Sequence, residues 1–476
     1  MKTTFFFYDL ETSGLSPRSA RIMQFAGQRT DQDLQPIGKP VNIIIKLTND
    51  ILPEPRAILL TGITPQQTLE KGITEAEFLE IFHREISLPG TIFVGYNTIR
   101  FDDEFMRFIN YRNFYDPYKW QWQNGRSRWD LLDLVRMTRA LRPEGIVWSY
   151  DENGKAGNRL EQLTSANNIP HSNAHDALAD VNATIAVAQL AHAKQPKLFD
   201  YLLQMRSKKK IAELVLSNKP FLYTSGKYSG DYLKTTIVKL LAPHPEREAA
   251  ALVYDLRYDP TPFSKMSTKQ LVAAWKYDPD KSKARLPIKT LQFNRCPAVA
   301  PLSVLDADSR KRINIDPGQI KENEKLLSAI NYWPAKILEA LVVMDEIQDH
   351  KYASHSHNVD ESLYDGFFSQ GDSKLMLNVQ GATAHQLMDL KPVFEDDRLN
   401  ELFPLYRARN FPDTLTDTEL ESWNRYRLTK LTDGEENSRL AKFEVEISYL
   451  TNNIKLSKKD LAIINQLKLY ENSVMS

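Results

Sequence analysis

The sequence predicts a multidomain α/β chain: an α/β domain over residues 1–195, a small β-rich domain over 196–350 and an α-helical domain over 351–476. Three observations carry this division. The chain has 476 residues, and at roughly 150 residues per domain that length implies about three domains, each large enough for its own core. The hydrophobic pattern changes twice along it. Charge changes with it: 21 basic and 23 acidic residues in the first segment, 25 and 18 in the second, 15 and 20 in the third give nets of −2, +7 and −5 within a neutral total.

The first segment opens on a β-rich run at residues 3–9, closed by Ser13 and Gly14, and then alternates strand-like pieces at 41–46 and 91–94 with helical stretches. Strands interleaved with helices indicate a layered α/β fold. Its last helix is expected at 174–193, where Ala, Leu and Ile recur at helical spacing until Pro196. In the second segment the β-prone runs 235–241 and 249–256 are separated by turns bearing Pro and Gly. Helical runs at 416–430, 438–449 and 459–470 dominate the third.

Composition narrows the function classes. With 42% hydrophobic, 26% charged and 10% aromatic residues, 18 Gly and 25 Pro, the chain is ordinary for a globular protein and excludes collagen-like and disordered classes. The apolar run 5–8 is broken at Asp9, too short for a signal-peptide core, and no stretch approaches the roughly 18 apolar residues of a membrane span. A cytoplasmic protein without membrane association is expected. A single cysteine, Cys296, can form no internal disulfide and is expected to be a buried, inert thiol. His355 and His357 lack a nearby third ligand and fit a linker better than a metal site, and Gly-rich phosphate loops are absent from the sequence.

The acidic residues are more telling. Asp9 and Glu11 lie two apart on the first expected strand, so both carboxylates face one way at its C-terminal end. Acids crowded there repel one another unless a cation sits between them. Asp102 follows Asn97 and Phe101, and Asp180 follows His175 by five residues. Three or four carboxylates suit a pair of hard divalent ions that promote phosphodiester cleavage, and a histidine titrating near neutrality can take the proton of an attacking water. Singly, each acid has an ordinary reading as strand end, helix cap or solvated residue. Jointly those readings weaken.

Asp9–Thr12, Asn97–Asp102 and His175–Asp180 resemble the three motifs of the DEDD 3′→5′ exonucleases in the subgroup with a catalytic histidine. Segments 95–97, 101–104, 111–118, 127–133, 171–177, 363–368 and 406–412 narrow the likeness to the bacterial exodeoxyribonuclease I family. The resemblance implies an RNase-H-like exonuclease domain, an SH3-like domain and a helical domain that together embrace single-stranded DNA. It implies that Asp9, Glu11, Asp102 and Asp180 hold two Mg²⁺ ions, with Mn²⁺ a substitute, and that His175 is the general base. Glu11, Arg107, Tyr118, Trp122, Arg136 and Arg159 would contact the strand. Arg142 and Tyr201 would bind the acidic tail of single-stranded-DNA-binding protein. The implied protein is a monomer that releases 5′-mononucleotides in DNA repair and recombination.

The residues themselves agree with a strand-gripping role. Positions 100–142 hold ten aromatics and nine Arg or Lys against six acids, and Trp120, Trp122 and Trp129 fall within ten positions. Aromatic faces stack on any base while cations follow phosphates; about a third of these rings are expected to reach the strand, since most aromatics pack inside. Arg159 is as readily a plain surface arginine as a phosphate ligand. The run Arg206 to Lys210 lies in a stretch, 196–290, with 18 basic and 9 acidic residues. Two rivals stay open on sequence alone: an RNA-trimming relative of the same superfamily, and a nucleic-acid-binding scaffold.

Overall fold

The computed structural model describes residues 3–171, 175–276, 285–353 and 358–476, so His355 and His357 lie outside the described residues. The chain forms two compact units with interleaved segments. The first takes Met1–Ser127, His171–Asn182 and His357–Ser476; the second takes Arg128–Pro170 and Ala183–Ser356. No single described helix is long and apolar enough to cross a membrane.

The first unit is organised by strand β1 (Thr4–Thr12), longer than the run expected from sequence. It pairs antiparallel with β2 (Ile22–Thr30), which pairs with β3 (Val41–Ile44), and parallel with β4 (Thr91–Gly95). Alternation sorts its side chains: Phe6, Tyr8 and Leu10 enter a core with Phe25, Phe78, Phe82, Phe93 and Trp120, which leaves Asp9 and Glu11 on the other face. The backbone turns sharply after β4. A Cβ on Gly95 would lie 1.9 Å from Thr98 Cγ2, so only glycine allows the short turn Thr98–Arg100 that leads into the helix Asp102–Arg112. Asp102, Asp103 and Glu104 occupy that helix's first turn, where carboxylates complement the helix dipole.

The C-terminal helices of this unit, among them Asp397–Asn410, Asp417–Thr432, Arg439–Asn453 and Lys458–Met475, match the expected helical segment. They are joined to the N-terminal part by apolar packing and by buried charge. Phe108, Tyr111 and Phe114 share a core with Leu399, Phe403 and Tyr406. Beside it, Asp360 accepts from Arg21 at 2.8 Å, from Arg409 at 2.7 Å and from Lys430 at 2.9 Å, while Asp50 accepts from Arg409 at 2.7 Å and Lys430 at 2.5 Å. These cations hold both carboxyls well below the usual range despite burial.

Strand β5 (Ser127–Asp130) carries the chain into the second unit. Its sheet is antiparallel throughout: β6 (Phe221–Thr224), β7 (Thr235–Pro243), β8 (Ala250–Asp255), β9 (Ile288–Gln292) and β10 (Ala298–Pro301) lie in the order β10-β6-β7-β8-β9. Phe221, Val238, Val253, Leu291 and Val299 fill its core with Ile211 and Val215 of the helix Lys208–Leu216. The β-prone runs of the sequence are β7 and β8. Cys296 corrects an expectation: it is half-buried rather than buried, and its thiol donates to the Arg128 carbonyl at 3.0 Å.

Substituting Asp360 by Asn leaves Arg21, Arg409 and Lys430 short of a buried counter-charge. The expected cost is about 3–5 kcal/mol, the usual penalty for breaking a buried pair from one side, read as a lower urea midpoint.

Candidate active site

Four positions singled out from sequence lie in the first unit at the ends of elements that hold them rigidly. β1, paired with β4 up to Phe7 and with β2 through Asp9 and Glu11, projects both acids from one face. The helix Ala177–Lys194 brings Asp180 in its first turn. One ligand oxygen from each of Asp9, Glu11 and Asp180 lies within 4.8 Å of the others. Asp102, 4% exposed, is close enough that its charge acts on Asp9.

The electrostatics follow from crowding. Burial first, then the charges of Asp102 and Asp180, push the Asp9 carboxyl well above its ordinary value, although a rim of the side chain stays open to solvent. Burial, then Asp9, Asp180 and Asp176, push Glu11 up to about 9. Carboxylates so placed cannot all be ionised at neutral pH without a compensating cation. All-oxygen donors in this number suit a hard divalent ion, so the residues present fit the metal site that the motifs imply.

His175 sits at the rim, exposed, with positive φ (73°), and its backbone N–H donates to Asp180 Oδ2 at 3.3 Å. A left-handed residue other than glycine is uncommon and occurs most at functional turns. Two groups with no role assigned from sequence support the acids. Tyr8 donates to Asp103 Oδ1 at 2.5 Å, tying the residue before Asp9 to the residue after Asp102. His171, its side chain 5% exposed, lies 2.5 Å through Nε2 from Asp180 Oδ1. Spacing alone gave His171 no weight beside His175, which stands closer to Asp180 in sequence.

The expected strand contacts divide between the units. In the first, Arg107 is buried and engaged by Glu104 at 2.6 Å and Gln121 at 3.0 Å, and its guanidinium lies 5.5 Å over the Tyr118 ring. Trp122 is 60% exposed, whereas Trp120 is buried and donates to the Pro117 carbonyl. Phe367, in a segment quoted only for its likeness, is 91% exposed. The second unit holds the rest. Arg136 pairs with Asp133 at 2.6 Å, Arg159 is exposed just before the helix Leu160–Ala166, and Trp129 packs on Phe199. Arg142 donates to the Val304 carbonyl and pairs with Asp306 at 3.0 Å; Tyr201 is half-buried against the sheet's core, and burial pushes its hydroxyl up to about 12. Like charge also gathers here: burial, then Arg285 and Lys227, lower Lys289 to about 8, and burial, then Arg136, lower Lys234.

Residues 6–188 match the family described as Exonuclease, 206–341 the Exonuclease I SH3-like domain and 357–474 the Exonuclease I C-terminal domain. The chain is similar to Exodeoxyribonuclease I of Haemophilus influenzae, 41% identical over 473 residues covering 98% of each chain, and to that of Escherichia coli, 39% identical over 479 residues covering 100% of this chain and 98% of the relative. It is similar to the structure of Exonuclease I from Methylocaldum szegediense, with a TM-score of 0.92 at 42% identity and both chains covered in full. It is likewise similar to E. coli Exonuclease I in complex with a dA16 oligonucleotide, with a TM-score of 0.92 at 38% identity over 99% of this chain and 100% of the other. A structure of SSB/Exonuclease I in complex with an inhibitor gives 0.89 at 38% identity, with full coverage of both.

The raised Glu11 has a thermodynamic consequence. A carboxyl whose folded pKa lies above its unfolded value stabilises the fold fully below about pH 4.5, and that contribution is lost as pH rises toward about 9. The melting temperature of chelator-treated protein should therefore decline across that window. Glu11→Gln should flatten the decline, and added Mg²⁺ should raise the melting temperature most at its alkaline end.

Proposed function

Because the chain belongs to the exodeoxyribonuclease I family, we propose that this 3′→5′ exonuclease degrades single-stranded DNA from its 3′ end and releases 5′-mononucleotides. The observation that carries the reading is the convergence of Asp9, Glu11 and Asp180 beside Asp102, with the exposed His175 joined to the same carboxylate cluster through its backbone.

In this reading Asp9, Glu11, Asp102 and Asp180 hold two Mg²⁺ ions. Cations held there supply the positive charge that lets the acids ionise together and that offsets charge developing on the phosphodiester. His175 takes the proton of a water that attacks the terminal phosphorus in line, and the bond to the departing 3′ oxygen breaks. The pairing of β1 with β2 through Asp9 and Glu11 keeps both acids in place through the reaction.

Arg107, Tyr118 and Trp122, with Arg136 and Arg159, grip the strand without reading sequence; an exposed ring such as Trp122 contributes about 1–3 kcal/mol per stacked base. The cations crowded around Lys289 and Lys234 follow phosphates. Arg142 and Tyr201 receive the acidic tail of single-stranded-DNA-binding protein, and the activity serves repair and recombination. Residues 1–195, 196–350 and 351–476 are assigned to the exonuclease, SH3-like and helical domains.

End-labelled single-stranded DNA, single-stranded RNA and duplex DNA, incubated with and without Mg²⁺, test the reading: single-stranded DNA alone should shorten, and only with metal. Persistence of all three would refute it. His175→Ala should slow cleavage by about 10²–10⁴-fold, the usual worth of a general base, while strand affinity stays within about twofold; equal loss of both would remove His175 from that role. Strand affinity should fall steeply between about 50 and 200 mM salt despite the neutral net charge.

A further inference from the structure

We propose that His171 is a positioning residue for the site: by donating from Nε2 to Oδ1 of Asp180, it fixes the orientation in which that carboxylate meets a divalent cation. The inference rests on the metal-site reading above and extends it to a residue that touches neither substrate nor metal.

The geometry is specific. Asp180 arrives at the site on the first turn of a helix, so its backbone is placed by the hydrogen bond from its own N–H to the Asp176 carbonyl at 3.0 Å. That bond leaves the side-chain torsions undetermined, and a carboxylate facing two other acids would swing away from them. Two donors oppose the swing. On Oδ1 there is Nε2 of His171 at 2.5 Å, the donor when the ring carries its proton there; on Oδ2 there is the backbone N–H of His175 at the longer distance of 3.3 Å. A charge-assisted bond of the first kind is short and strong, the second is weak. Oδ1 is thereby committed to His171, which leaves Oδ2 free to exchange its weak contact for a cation that Asp180 would hold together with Asp9 and Glu11.

Burial gives the contact its strength. The His171 side chain is 5% exposed and that of Asp180 17%, so water does not compete effectively for either partner. Outer contacts of this kind typically change metal affinity or activity 10- to 100-fold when removed.

The test compares His171→Leu, which removes the donor, with His171→Gln, whose amide can donate from a similar reach. Mn²⁺ binding is followed by titration calorimetry on the full chain, and strand binding is measured in chelator. The expected result is a 10- to 100-fold loss of Mn²⁺ affinity for Leu, restored to within about threefold by Gln, with chelator-independent strand affinity unchanged for both. In turnover assays kcat should fall for Leu at constant KM and recover for Gln. Leu and Gln behaving alike, whether both unaffected or both equally impaired, would overturn the inference while leaving the metal site standing. Absence of Mn²⁺ binding by the unchanged chain would refute the metal reading and this one with it.

Discussion

The first unit depends on a cluster of charges taken out of water. Asp50 and Asp360 are 0% and 1% exposed, and neither could stay ionised there without Arg21, Arg409 and Lys430. Removing any one partner strands a charge in a medium that solvates it poorly, which makes the cluster a strict condition on the fold rather than an optional gain. Its members come from both ends of the chain. Arg21 stands at the entrance to β2, the antiparallel neighbour of β1, so the requirement that Asp360 meet Arg21 also positions the strand against which Asp9 and Glu11 are registered.

Near the active site the same physics runs with opposite sign. Asp9, Glu11, Asp102 and Asp180 are all acidic, and the charges that shift Asp9 and Glu11 are those of neighbouring carboxylates, whereas Arg409 and Lys430 act on Asp50 and Asp360. Two clusters of carboxylates in one unit thus have different surroundings: cationic side chains in one, mainly other acids in the other. The first is permanent structure, and the second is the set that the proposed function gives to metal ions. Glu75, held by Arg112 and Asn113, belongs to the permanent kind.

Much of this was legible in the sequence because it is local. Alternation along β1 announces that Asp9 and Glu11 share a face, and the five-residue interval from His175 to Asp180 announces a helix start bearing an acid. The two β-prone runs of the second unit and the C-terminal helices follow from the same short-range patterns. What stayed hidden depends on contacts between distant positions. Trp120 and Trp122 look alike in sequence, yet one fills the core against Phe82 and Phe93 and the other faces solvent. Nothing near Asp50 shows that its partner is Arg409. His171 was obscured by a better-known neighbour, and only the fold shows which ring nitrogen reaches Asp180.

The sequence separation within the charge cluster sets a timescale. Asp50 and Arg409 are 359 positions apart, and Asp50 and Lys430 are 380 apart. At synthesis rates of about 5–20 residues per second, roughly 20 to 70 seconds separate the emergence of Asp50 from that of the cations that neutralise it. During that interval the nascent chain carries β1 but lacks the charges that lock the surrounding fold. Asp9 and Glu11 are thus synthesised long before the cations that neutralise Asp50, so the fold around them is secured only late in synthesis.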